Sequence, residues 1–374
     1  MSINSRVRIG IVGAGFGASF YFHLHPQSSV EAVAASLPEE RARLQSNYQC
    51  EKAYQSLSDL LKDSQVDAIA LFTPAPMHAQ HTVEALNAGK HVLCAVPAGL
   101  SLEECAMVKD AVQRTGLTYM MAETSIYRQD TISAKQFYRD GQFGNLIAAE
   151  AEYHHPGIED YFFDAVGKPT WRHGLPPMLY ATHCTSFLTG VTGERLASVS
   201  CIGWGDDDSL LKGNPYVNPF WNQTALFSGE FGTAFKVNIS WRGALLPTER
   251  CEWHGEKMSF YSKDPRGLDA ILVRKTDLVG TDDAGFLTHQ PSATPYQQPL
   301  WWQTALLPES LRVDSGHYGS HTFITHEFVN ALITGRNPEV GLEESIAYTV
   351  PGIIAHESAL KNGERLAIPT FESL

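Results

Sequence analysis

Gly13-Ala14-Gly15-Phe16-Gly17-Ala18 places small residues at the spacing G-x-G-x-x-G/A, directly after the apolar run Val7-Arg8-Ile9-Gly10-Ile11-Val12. The chemistry this spacing allows is the wrapping of a diphosphate by bare backbone. Gly13 permits a tight turn, Gly15 has no Cβ to obstruct a pyrophosphate, and Phe16 and Gly17 complete the turn. Ala18 lets a following helix lie close to the sheet with its free N–H groups toward the phosphates. The group that reads the adenosine ribose belongs about 20 residues further on, and is an acid in most NAD sites. Here that place falls at Ser36, with Glu39 and Glu40 only after Pro38 and with Arg41 and Arg43 close by. Serine can bond a ribose hydroxyl or a 2′-phosphate, so NAD and NADP both remain open.

Other residues of chemical interest lie beyond the first third. Glu150, Glu152 and His154 alternate along one strand and share a face, which leaves His155 on the other. The constellation is too loose for a metal site, and no metal is expected; His155 is instead a candidate to line a substrate pocket. Trp171-Arg172 and Trp301-Trp302 pair flat aromatic surface with hydrogen-bond donors, a combination suited to a sugar ring. The six cysteines contain no C-x-x-C, which gives neither a zinc knuckle nor a disulfide framework, and reduced thiols in a cytoplasmic protein are expected. A net charge of −13 with no basic cluster argues against a nucleic-acid partner. No apolar run approaches the ~18 residues of a membrane span, and MSINSRVRIG has no signal-like apolar core.

The elements that must hold these residues are legible from periodicity. A chain of 374 residues with 43% hydrophobic and 18% charged residues suits two domains. Strand-like runs at Val7–Val12, Val30–Ala35, Val66–Phe72, His91–Ala95 and Leu117–Ala122 alternate with helical stretches. Ser19–Gln27 reads as the first helix, and Ser56 and Ser101 as helix caps with an acid three residues on. Residues 1–123 therefore read as a doubly wound parallel α/β sheet of the Rossmann type. Its ligands gather at the carboxyl ends of the strands, at the glycine loop, Ser36, Thr73-Pro74 with His78, Val96-Pro97 and Glu123. All seven tryptophans lie beyond residue 170, and strand-like runs at Leu146–His154, Ala197–Gly203, Thr233–Trp241 and Arg250–Tyr261 follow. Residues 124–374 thus read as an α+β domain with a mostly antiparallel sheet, closed by helices over Thr322–Thr334 and Glu343–Asn362.

These motifs resemble the Gfo/Idh/MocA family nearly end to end. The resemblance rests on IGIVGAGFGA, TPAPMH, EALNAGKHVLCAVPAGLSLEEC, LYATHCTSFL and HEFVNALITGRNPEV…IAHESALKNGE. It implies an NAD(P)-binding Rossmann domain, a sheet domain that forms homodimers or homotetramers, and hydride transfer to or from a sugar or polyol. Three segments depart from the family pattern. Glu-Lys-Pro is replaced by Ala95-Val96-Pro97, the asparagine after Thr-Pro is Ala75, and only His183 survives of Asp-x-x-x-His-x-x-Asp. Val96-Pro97-Ala98, Met120-Met121-Ala122-Glu123 and Tyr180-Ala181-Thr182-His183 are similar to a branch of NAD-dependent α-N-acetylgalactosaminidases, although Ala95 and Thr124 differ from it. The resemblance implies His183 as general base, with Tyr180 and Tyr127 as auxiliary acids. The expected function is a hydride-transfer oxidoreductase, with two alternatives: a glycosidase that oxidises its substrate transiently, or a non-catalytic nucleotide sensor.

Overall fold

The computed structural model describes residues 6–205, 208–276, 279–289 and 291–374. They form two compact units that are not consecutive in sequence. The first comprises residues 1–129, 300–353 and 369–374, and the second residues 130–299 and 354–368. The one boundary expected after Glu123 becomes four crossings, because a C-terminal segment returns to the first unit.

In the first unit, strands β1 (Val7–Val12), β2 (Ser28–Ala34), β3 (Lys52–Tyr54), β4 (Ala68–Leu71), β5 (His91–Cys94) and β6 (Tyr119–Met121) make a parallel sheet. Its order is β3-β2-β1-β4-β5-β6, that of a dinucleotide-binding Rossmann sheet. Every residue of β4 and β6 is buried, which is why these strands read as continuous apolar runs. The crossovers carry α1 (Pro38–Tyr48), α2 (Leu57–Leu60), α3 (His78–Asn87) and α4 (Leu102–Thr115). Ser56 and Ser101 cap α2 and α4, each accepting from the N–H three residues on.

Helix α5 (Gln129–Arg139) begins at the boundary and leads into the second unit. There β7 (Leu146–His154), α6 (Thr182–Thr192), β8 (Leu196–Trp204), β9 (Asn222–Gly229), β10 (Ala234–Ser240), β11 (Thr248–Gly255), β12 (Met258–Tyr261) and β13 (Ile271–Arg274) follow in turn. The run expected as one strand over Arg250–Tyr261 is therefore the hairpin β11–β12. Strands β14 (Val279–Thr281) and β15 (Leu287–His289) pair separately, and β16 (Ser292–Pro295) joins the main sheet. Helix α7 (Gly316–Thr334) belongs to the first unit; α8 (Leu342–Leu360) leads back to the second, where β17 (Leu366–Ala367) adds the last edge. The nine-stranded order is β16-β13-β12-β11-β7-β10-β9-β8-β17. Only the central pair β7–β10 is parallel. Helix α6 lies on this sheet, with Trp253 Nε1 donating to Phe187 O at 2.9 Å.

The helix expected over Ser19–Gln27 does not form. The glycine loop enters a four-residue 3-10 turn, Phe16–Ser19, and the chain then runs through turns to β2. The cause is aromatic. Phe20 and Phe22 are fully buried. Phe20 stacks on Phe72 at 4.5 Å and on His321 of α7 at 4.8 Å. Tyr21 N–H donates to Thr325 Oγ1 of the same helix. The Tyr48 hydroxyl lies 2.5 Å from Gly17 O and 3.0 Å from Phe20 O and shares its single proton between these carbonyls. The six cysteines are free and buried. Among the described residues no helix is long and apolar enough to cross a membrane.

Two buried histidines tie α7 to this crossover. Gln27 N–H donates to His25 Nδ1, and His25 Nε2 meets His326 Nδ1 at 3.0 Å. His321 Nδ1 meets Ser19 O at 3.0 Å. Burial, reinforced by the neighbouring histidine, pushes His25 and His321 from 6.5 down to about 4. The folded state holds them neutral, so their contribution is complete above pH 6.5 and is lost as pH falls toward 4. Urea unfolding followed from pH 7 to pH 4 should lose on the order of 2 kcal/mol per histidine, and His321→Asn should flatten that slope.

Candidate active site

The glycine loop has room for a diphosphate. Gly13 sits at φ +98°, and a Cβ there would meet Phe72 O at 2.3 Å. At Gly17 a Cβ would meet the Phe72 ring at 2.8 Å. Gly15 differs: a Cβ built on it has no heavy atom within 4 Å, so nothing in the fold requires glycine there. The N–H groups of Gly15 and Phe16 make no hydrogen bond to the rest of the described backbone. Uncovered amides beside empty space fit an anionic dinucleotide. The amides of a 3-10 turn replace the helix N-terminus that the fingerprint suggested.

The other strand ends in the first unit take distinct parts. Ser36 follows β2 and is exposed, whereas Thr73 and Val96 are half-buried and Pro74 is exposed. His78 is buried, with Nδ1 2.8 Å from Pro97 O and Nε2 2.8 Å from Thr73 O. It clamps the turns after β4 and β5 together, so both ring nitrogens face the protein rather than a cofactor. Burial lowers its pKa, against the pull of the two carbonyls. Glu123 is fully buried, and its Oε1 accepts from Ser125 N–H at 2.9 Å. Tyr127 is buried as well, its ring stacked on Phe323. Burial raises its hydroxyl pKa well above 10, and the carboxylates of Glu339 and Glu327 raise it further. Trp302 packs under Gly319, where a Cβ would touch its ring at 2.6 Å.

The second unit gathers His183, Tyr180, His155, Trp171 and Arg172. His183 lies in the first turn of α6 and stacks on Tyr153 of β7, with ring centroids 4.7 Å apart. Tyr180 ends a 3-10 turn just before α6 and lies 5.8 Å from His183 and 6.2 Å from Tyr153. Trp241, fully buried and anchored by Nε1 to Leu175 O, turns its ring edgewise to Tyr153, Tyr180 and His155. The Arg172 guanidinium lies 4.2 Å over the Trp171 ring and 5.8 Å from the ring of the exposed Tyr161. Burial pushes the Tyr180 hydroxyl pKa up, and Arg172 pulls it back by charge and hydrogen bond. Burial lowers the pKa of His155, helped by Arg172 and His183. The result is a cluster of rings in which His183 and Trp241 are buried, Tyr153, His155, Trp171, Arg172 and Tyr180 are half-buried, and Tyr161 is exposed.

The opposite face of β7 is different in kind. Glu150 pairs with Lys236 at 2.8 Å, Glu152 with Arg250 at 3.1 Å, and His154 meets Asn238 at 3.2 Å. These three acceptors are engaged along the sheet, while His155 joins the ring cluster as period-two geometry predicts.

Residues 7–123 match the family model described as "Oxidoreductase family, NAD-binding Rossmann fold" (GFO_IDH_MocA). Across 98% of the chain and 89% of its own length, a glycosyl hydrolase family 109 protein of Solibacter usitatus is 22% identical. A family 109 protein of Stenotrophomonas maltophilia is 24% identical over 83% of this chain and 74% of its own. Two solved structures share the fold at low identity. Scyllo-inositol dehydrogenase of Lactobacillus casei with bound NAD(H) and scyllo-inositol has a TM-score of 0.72 at 18% identity, over 97% of this chain and 99% of that one. Levoglucosan dehydrogenase in complex with NADH has a TM-score of 0.77 at 17% identity, over 98% and 100%.

In the second unit, sequence reasoning missed Tyr153, Tyr161 and Trp241. Tyr153 was recoverable, because it lies two residues before His155 and so shares its face. Trp241, in another strand, becomes a neighbour only through the β7–β10 register, which pairs Ser240 with His154.

The contrast between glycines is testable. Gly15→Ala should leave unfolding stability within about 0.5 kcal/mol yet weaken dinucleotide binding in a fluorescence titration. Gly13→Ala should cost more than about 1 kcal/mol by itself, since its backbone is left-handed and its Cβ has no space.

Proposed function

We propose that the protein is an NAD(P)-dependent oxidoreductase that moves a hydride to or from a carbon of a sugar or polyol. The observation that carries this reading is the ring wall around His183 in the second unit. Flat aromatic surface, two imidazoles, a phenol and a guanidinium suit a polyhydroxylated ring. A nicotinamide bound to the glycine loop would supply the hydride acceptor or donor. His183 takes the proton of the reacting hydroxyl, Tyr180 donates a hydrogen bond to the same substrate, and Arg172 stabilises negative charge that develops on oxygen. Trp171, Tyr153 and His155 hold the ring in place. The protein works in this reading as a cytoplasmic homodimer or homotetramer. Exposed Ile147, Ile202 and Leu226 on the outer sheet face supply apolar surface for such contacts.

The family 109 relatives favour a second reading, in which a retained nicotinamide would be reduced as the sugar is transiently oxidised and reoxidised in the same turnover, with the aglycone eliminated and water added in its place. Absorbance at 340 nm separates the two. Net change on a panel of sugars and polyols supports the dehydrogenase, and aglycone release without net change supports the hydrolase. Cofactor binding with neither outcome leaves a nucleotide sensor. His183→Asn is expected to keep cofactor affinity while kcat falls about 10²-fold or more; an unchanged kcat removes His183 from the proton transfer.

A further inference from the structure

The turn after β2 is where a Rossmann domain inspects the 2′ position of the adenosine ribose. A carboxylate there accepts from ribose hydroxyls and repels a phosphate, whereas arginine without a carboxylate accommodates the 2′-phosphate. In this chain Ser36 holds the turn, exposed and without an acid beside it in sequence. The first carboxylates, Glu39 and Glu40, lie beyond Pro38 in the opening turn of α1.

Two guanidiniums converge on the same place. Arg41 Nη1 donates to Ala35 O at 2.7 Å and to Ser36 O at 2.9 Å, which pins it against the turn. Arg43 Nη2 donates to Ala14 O at 2.7 Å and so reaches from α1 to the glycine loop. Among the described residues neither arginine is paired with a carboxylate. Of the other cations in the same unit, Arg8 pairs with Asp67, Lys52 with Asp63 and Arg336 with Glu327, whereas Arg6, Lys90 and Arg312 bond backbone carbonyls. Two cations are thus held by backbone carbonyls, one at the Ser36 turn and one at the glycine loop, with no carboxylate on either. A bare ribose hydroxyl would find donors here and no carboxylate to accept from it. A phosphate monoester, with its charge of about −2 and three acceptor oxygens, satisfies all three groups.

We infer that this chain selects NADP(H) over NAD(H), with the 2′-phosphate held by Ser36, Arg41 and Arg43. The inference rests on the reading of the glycine loop as a dinucleotide site and adds which dinucleotide it takes.

Direct binding tests it without reference to turnover. Titration of the purified chain with NADPH and NADH, followed by nicotinamide fluorescence, should show NADPH bound at least about tenfold more tightly. In competition against bound NADPH, 2′,5′-ADP should displace it at lower concentration than 5′-ADP. Ser36→Asp, at an exposed position, should invert the preference. Arg41→Ala and Arg43→Ala should each weaken NADPH more than NADH, and Arg43→Lys should restore part of the difference if removal of the Ala14 tether disturbs the loop. Equal or tighter binding of NADH overturns the inference and leaves the dinucleotide site standing. An unchanged NADPH:NADH ratio in all three variants also overturns it. Binding of neither cofactor overturns both.

Discussion

Phe72, just past the end of β4, is the surface against which the glycine loop is set. Its carbonyl oxygen forbids a Cβ at Gly13, its ring forbids one at Gly17, and Phe16 and Phe20 pack on that ring at 5.6 and 4.5 Å. The loop has almost no freedom on its inner side, so Gly15 is left bare on its outer side. Two of these glycines are present because the fold demands them. The third is present although the fold does not, which is the signature expected of a residue kept small for a ligand.

That same packing accounts for the missing first helix. An α-helix over Ser19–Gln27 would place its buried side chains every three or four residues. Phe20 and Phe22 are only two residues apart, and both are fully buried. Such spacing suits an irregular path whose backbone groups are met from outside: Tyr48 in α1 reaches Phe20 O, His321 of α7 meets Ser19 O, and Thr325 of α7 accepts from Tyr21 N–H. Helix α7 is separated from the loop by almost 300 residues, and its first turn is left-handed at His317, Tyr318 and Gly319. Local composition at residues 19–27 carries no trace of that partner. The helix error was therefore a long-range one.

Elsewhere the sheet of the first unit was legible because its strands are buried on both faces and are punctuated by glycine, proline and capped helices. The strands of the second unit were legible as alternation, and β7 was recovered at its full length. What alternation could not show is which strands become neighbours. The ring cluster depends on the one parallel pairing in the sheet, β7 with β10, which sets Trp241 behind Tyr153 and His155. His78 shows the opposite limit. Its position after the β4 turn marked it for a ligand, but a fully buried imidazole between two backbone carbonyls acts on the loops themselves.

The replacement of lysine by Val96 bears on how proton and charge can be handled. A lysine can do two things at a reacting hydroxyl, stabilise negative charge and carry a proton, whereas valine does neither. In the proposed reading those tasks would fall to separate groups of the second unit. Arg172 holds a permanent charge and cannot give up its proton under ordinary conditions, so it can stabilise an oxyanion but cannot shuttle. Tyr180, with its pKa pushed up by burial and only partly relieved by Arg172, stays protonated near neutrality and can donate but not accept. His155, with its pKa lowered by burial and by nearby Arg172 and His183, is held neutral. His183, stacked on Tyr153 beside Tyr180, is then the imidazole to which the proposed reading assigns the hydroxyl proton.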